Sequence, residues 1–143
     1  MPIDHLNHIN LRARDIHETR DFYRDVLGLE EGHRPPFPSP GYWMYDAGGR
    51  PVVHISHSED DSASRTNPEG MGRGLDHFAL WASGLKEQLE ILESRGIEYH
   101  RQEQTGVGMI QIFFQDPNGV IIELGYDPVA EGLKKEGAEP ATV

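Results

Sequence analysis

The feature that most restricts how this chain can fold is an internal repeat. His8 and His54 are 46 residues apart, and so are His77 and Glu123. The two pairs overlay at an offset of 69 residues. Around the first members, HINLRA at 8–13 lies over HFALWA at 77–82, so that His, Leu and Ala recur in place. Around the second members, residues 43–56 lie over 112–125 without a gap. There Trp43, Met44, Tyr45, Val52, Val53 and Ile55 fall on Ile112, Phe113, Phe114, Ile121, Ile122 and Leu124. Two separate segments share one offset, which argues against chance. Two copies are too few, and the period too long, for a solenoid, so the repeat implies paired modules within one domain.

The length of 143 residues suits one substantial core, or two small modules, and not two independent large domains. Thirteen basic residues against twenty-four acidic ones give a net charge of −11. Such a charge repels phosphate backbones and anionic lipid, so neither nucleic acid nor membrane is an expected partner. Cysteine is absent, which excludes disulfides, thiolate metal ligands and a thiol nucleophile. Any metal must be held by nitrogen and oxygen. The N-terminus has no basic stretch followed by an apolar run, and no apolar run approaches the roughly 20 residues that span a bilayer. A soluble cytoplasmic protein is expected.

Along the chain, Leu6 to Arg12 alternates as a half-buried strand, with Ile9 and Leu11 on one face and His8, Asn10 and Arg12 on the other. Asp15 then caps a helix whose apolar stripe is Ile16, Phe22, Tyr23, Val26 and Leu27. Glu18 is placed for a capping box, and Gly28 is the stop. Strands are predicted over 29–34, 42–46 and 51–56. The second half repeats the plan. A strand at 75–82 is followed by Ser83 as helix cap, a stripe of Leu85, Leu89 and Leu92, Gly96 as the stop, and strands at 97–102, 109–115 and 120–125. The sequence thus predicts a single α+β domain over 1–126. Module one covers about 3–56, a polar linker 57–74, module two about 75–126, and 127–143 forms a flexible tail.

Strand alternation places His8, His54, His77 and Glu123 opposite their apolar neighbours, on one face of the sheet. Imidazole and carboxylate suit Fe, Mn, Zn, Ni or Co as a divalent ion, and a three-ligand set of His8, His77 and Glu123 leaves positions open for substrate. His54 is expected in the same site, as a fourth ligand or as an acid or base, with Glu123 its catalytic companion. His5, His17, His33, His57 and His100 read as solvated or structural. Asn10, Arg12, Trp81 and Phe113 are the candidate substrate-binding residues, with Tyr45 and Gln111 further candidates; Trp81 and Arg12 suit an aromatic or anionic substrate. Arg73, in the linker, could reach an anion only if the loop closes.

Four segments, LNHINL (6–11), DFYRDVLGL (21–29), LDHFAL (75–80) and FFQDPNGVIIEL (113–124), resemble the vicinal oxygen chelate superfamily across about residues 3–126. That superfamily includes glyoxalase I, fosfomycin-resistance thiol transferases, bleomycin-binding proteins and extradiol dioxygenases. The resemblance implies paired βαβββ modules forming a cup-shaped mixed sheet with helices outside, commonly in a homodimer. It also implies that His8, His77 and Glu123 match metal-ligand positions. His54 stands where glyoxalase I has a ligating glutamate, so the full glyoxalase ligand set is not present. The expected function is a metal-dependent enzyme, either a glyoxalase-like lyase or a dioxygenase, acting on a small substrate with adjacent oxygens. The alternative is a non-catalytic drug-binding protein of the bleomycin-binding type. Thiol transfer ranks lower, because the chain offers no convincing counterpart of the cation-binding loop those enzymes share.

Overall fold

A computed structural model describes residues 1–59, 75–104 and 108–134. The expected linker from 60 onward, with Arg73, lies outside the described residues, as does the chain from 135. Two compact units emerge, Met1–Gly74 with Pro117–Gly119 and Leu75–Asp116 with Val120–Val143. Each is β-α-β-β-β, which makes the fold α+β with paired modules.

In the first unit the elements are β1 (Ile9–Ala13), α1 (Ile16–Asp25), β2 (Glu30–Gly32), β3 (Gly41–Tyr45) and β4 (Pro51–His57). The sheet order is β1-β4-β3-β2, with β1 parallel to β4 and the other neighbours antiparallel. Leu11, Ala13, Met44, Val53 and Ile55 are buried on one face together with Ile16, Tyr23 and Val26 of the α1 region. Asp15 starts α1 by accepting from the backbone N–H groups of His17 and Glu18. Gly28, at φ +71°, takes the left-handed conformation that ends the helical segment.

The second unit comprises β5 (Phe78–Trp81), α2 (Leu85–Ser94), β6 (Tyr99–Gln104), β7 (Met109–Gln115) and β8 (Ile121–Tyr126). Its order, β5-β8-β7-β6, repeats that of the first sheet. Period-two burial is clean on β7, where Ile110, Ile112 and Phe114 are buried while Met109, Gln111 and Phe113 face the other way. Full burial of each aliphatic chain contributes about 1.5–3 kcal/mol.

Three local details differ from the sequence expectation. β1 starts at Ile9 and β5 at Phe78, so His8 and His77 each sit one residue before a strand. In the first sheet the register that pairs Ile9 with Val53 would bring Asn7 opposite Pro51, which has no N–H to extend the ladder. Ser83 is not the cap of α2. That position belongs to Gly84, at φ +80° with no side-chain bond of its own, and the carboxylate of Glu131 accepts from the N–H groups of Gly84 and Leu85 at 2.9 and 3.1 Å. The segment expected to begin a flexible tail is therefore an ordered turn through Lys134, closed by backbone bonds from Glu131 to Asp127 and from Leu133 to Pro128. A carboxylate distant in sequence supplies what Ser83 was expected to give. Among the described residues no helix is long and apolar enough to cross a membrane.

Candidate metal and substrate site

In the first unit the cross-strand register sets His54 beside Asn10 on β1 and opposite Trp43 on β3. Because side chains alternate, Asn10, His54 and Trp43 rise on the face away from Leu11, Met44, Val53 and Ile55. The His54 ring is sandwiched. It stacks on His8 with centroids 3.8 Å apart and planes 13° apart, and on Trp43 at 4.0 Å and 10°. Only 8% of His54 is exposed. Burial, followed by the neighbouring His8, pushes its pKa below the ordinary histidine value and favours the neutral ring.

Hydrogen bonds define which ring nitrogen is free. The carbonyl of Pro51 can only accept, so His54 donates to it from Nε2 at 3.0 Å and retains a lone pair on Nδ1. At His8 the arrangement is reversed: Nδ1 donates to Oδ1 of Asn7 at 2.7 Å, and the lone pair is on Nε2. Asn10 accepts from Ser56 Oγ at 3.0 Å, while Arg12, the next residue along this face, is exposed. Tyr45 is occupied structurally: its hydroxyl donates to the His33 carbonyl at 2.5 Å and its ring covers Gly32.

The second unit presents a tighter cluster. Glu123, 6% exposed, lies opposite Phe113 on β7 and beside Ala79 on β5. Its Oε2 is 2.7 Å from His77 Nε2, and its Oε1 accepts from Gln111 Nε2 at 2.6 Å. On its other side His77 donates from Nδ1 to Asp76 Oδ2 at 2.6 Å. The Asp76 hydrogen bond, followed by that to Glu123, raises the His77 pKa above its ordinary value despite partial burial. Phe113 meets the His77 ring edge-on at 5.4 Å and lines a cavity of about 590 Å³ between β6, β7 and β8. Trp81 remains 75% exposed and lies against Gly125, whose missing side chain leaves space for the indole.

The structure brings His8 together with His54, and His77 together with Glu123. Among the described residues no group of three or more His, Cys, Asp or Glu side chains is arranged to hold a metal ion. The donor chemistry of His8, His77 and Glu123, taken singly, nevertheless suits a divalent metal. His8 and His77 both have Nδ1 committed to an Asx side chain and Nε2 turned to other uses, and the Glu123 carboxylate is buried and oriented. Sequence reasoning did not single out Asn7 and Asp76. The signal was present, since Leu6-Asn7-His8 and Leu75-Asp76-His77 recur at the same offset of 69.

Residues 5–124 match the family model of the Glyoxalase/Bleomycin resistance protein/Dioxygenase superfamily. In sequence the chain is 28% identical over 124 residues to Glyoxylase I 4 of Arabidopsis thaliana, covering 83% of this chain and 68% of that protein. It is 26% identical over 141 residues to lactoylglutathione lyase of Pseudomonas aeruginosa, covering 82% and 80%. In structure it resembles the fosfomycin resistance protein FosX of Listeria monocytogenes, with a TM-score of 0.67, 21% identity, and coverage of 94% and 100%. A family model spanning most of the chain, on a duplicated β-α-β-β-β frame, places this protein in the Glyoxalase/Bleomycin resistance protein/Dioxygenase superfamily.

Proposed function

We propose that this protein is a divalent-metal-dependent enzyme acting on a small substrate with adjacent oxygens, and that its reaction is proton transfer of the glyoxalase type. His8 and His77, each through Nε2, and the Glu123 carboxylate are the ligands. The observation that carries this reading is the buried Glu123, held between Gln111 and a histidine whose other nitrogen is fixed by Asp76. When bound, the metal would polarise the substrate oxygens and make the neighbouring carbon acid easier to deprotonate.

His54 is assigned the proton. Two imidazoles that ligate one ion need convergent lone pairs, and the nearly parallel His8 and His54 rings have theirs in separate planes. His54, kept neutral by burial, therefore acts as a base through Nδ1 beside the ligands. Glu123 is the companion carboxylate for returning the proton. Asn10, Arg12, Trp81 and Phe113 complete the substrate-facing surface. Lyase names among the sequence relatives favour proton transfer over oxygen insertion. A cytoplasmic homodimer completes the proposal.

Metal analysis of untreated protein, followed by assay of the Ni(II) and Zn(II) forms with a methylglyoxal–thiol adduct, tests the reading. Conversion that is lost in His77→Ala supports it. Oxygen consumption by the Fe(II) form with a catechol would replace it with the dioxygenase reading. A protein that carries no metal, is not stabilised by Mn(II), Fe(II) or Zn(II), and binds ligand equally well as His77→Ala is instead a binding protein of the bleomycin type. Mixing His8→Ala with Glu123→Ala chains tests for a site shared between subunits, because only a shared site regains activity.

A further inference from the structure

In a chain of net charge −11, Arg34 is an arginine with no acidic partner among the described residues. Arg20, Arg24, Arg50 and Arg101 each pair with a carboxylate. Arg34 has no hydrogen bond or ion pair among the described residues, and its Nε is buried without an acceptor. A guanidinium donor withdrawn from water and left unpaired carries a desolvation cost that a bound acceptor would offset. The group stacks on Phe37, with the guanidinium carbon 5.0 Å from the ring centroid.

The backbone makes room for this arrangement. A Cβ at position 41 would lie 2.9 Å from Arg34 Nη2 and 2.2 Å from the Ile55 carbonyl oxygen, so only glycine lets Arg34 lie there. Gly41 and Trp43 are two apart on β3 and share a face. Trp43 stacks on His54 and its ring lies 6.2 Å from Phe37, so a row of rings runs from the seat of Arg34 to the proposed base.

Beside Arg34 is a cavity of about 370 Å³ whose lining includes Ile16, His17, Phe37, Ser39 and Tyr42. Tyr42 accepts from Arg20 Nη1 at 2.9 Å, which leaves its own proton for His17 Nδ1 at 2.7 Å. With Nδ1 accepting from Tyr42, a neutral His17 carries its proton on Nε2, and His17 lines the same cavity as Arg34.

We propose that Arg34, seated on Phe37 and over Gly41, binds an oxyanion, a carboxylate or phosphate group of the substrate, in this cavity. Its place beside the base rests on the function proposed above; anion binding itself does not require the metal. The planar guanidinium offers a fork of donors matched to such a group, which a lysine ammonium lacks. The substrate class is thereby narrowed to small anionic molecules.

The test follows the arginine Nε–H signals of full-length, chelator-treated protein by NMR during titration with inorganic phosphate and, separately, sodium acetate. The expected result is a saturable shift of the Arg34 signal with at least one of these anions. Affinity should fall at least tenfold in Arg34→Gln, fall less in Arg34→Lys, and be unchanged in Arg50→Ala. No saturable shift at Arg34 with either anion, or undiminished affinity in Arg34→Gln, overturns the proposal. Should Arg34→Gln fail to fold, the wild-type Arg34 signal and Arg34→Lys decide. Mn(II) affinity measured on the same samples separates the two readings: metal binding with no anion at Arg34 sinks only this subsite, and the converse sinks only the metal site.

Discussion

His77 Nε2 lies 2.7 Å from Glu123 Oε2, so the two groups proposed as ligands are within hydrogen-bond distance of each other. When both ring nitrogens are protonated, the imidazole donates in both directions, to Glu123 and to Asp76. A metal entering this place must displace the Nε2 proton, as metal binding generally releases protons from its ligands. Metal and proton thus compete for one position between two fixed groups.

From this competition, Mn(II) or Zn(II) should raise the melting temperature of wild-type protein and leave Glu123→Gln and His77→Ala unchanged. At a hundredfold excess over the dissociation constant the expected stabilisation is about 2.7 kcal/mol. Differential scanning calorimetry with and without chelator reads the shift. Equal stabilisation of wild type and both variants would remove these residues from the ligand set.

Asn7 and Asp76 should fix the tautomers of His8 and His77. In chelator-treated protein, long-range ¹⁵N–¹H spectra should show His8 protonated on Nδ1, and Asn7→Ala should mix its tautomers. Asp76→Ala should weaken metal binding by about 10–100-fold, with Asp76→Asn recovering most of the loss, because groups that orient ligands tune affinity by that amount. Unchanged spectra and affinity in both alanine variants would count against this role.

The cap on α2 predicts a stability effect far from the candidate site. Glu131→Ala removes the acceptor for the Gly84 and Leu85 N–H groups and should cost about 0.5–2 kcal/mol in urea unfolding. Ser83→Ala should be neutral, since Ser83 is exposed and is not the capping residue. The opposite ranking would place the cap at Ser83 after all.

Tyr126 predicts the alkaline limit. It is fully buried with no partner for its hydroxyl among the described residues, and burial, aided by Glu131, pushes its pKa from 10.0 up to about 12. The folded state then holds the phenol proton more tightly than the unfolded chain does. This contribution to stability is complete below pH 10 and is lost as pH rises to about 12. Tyr126→Phe should lose this part of the alkaline destabilisation, as followed by urea midpoints between neutral pH and that limit. An identical pH profile for variant and wild type would refute the assignment.

Much of this protein is local and was legible as such. Period two on β1, β4, β7 and β8 gave the faces of His54 and Glu123, because alternation is a property of extended backbone and needs no knowledge of neighbours. Gly28 and Gly96 read correctly as helix stops, since both adopt positive φ, at 71° and 65°, where other residues are strained. The equal spacing of the two pairs encoded the duplicated β-α-β-β-β frame.

What remained hidden depends on register and on residues far apart in sequence. Ser83 looked like a cap, but the acceptor is Glu131, brought to α2 by a turn beyond β8. Equal spacing left His54 open as a fourth ligand or as an acid or base, and the register that opposes His54 to Trp43 produces a stack on His8, which orients lone pairs in parallel planes. Arg34 was indistinguishable from any surface arginine until the chain placed it over Gly41 with no carboxylate partner among the described residues. The sequence by itself determined which side chains share a face, because that follows from the backbone repeat. Only the tertiary structure decided which atoms of those side chains meet, because that is set by pairing across strands and by the donors and acceptors left over once the pairing is complete.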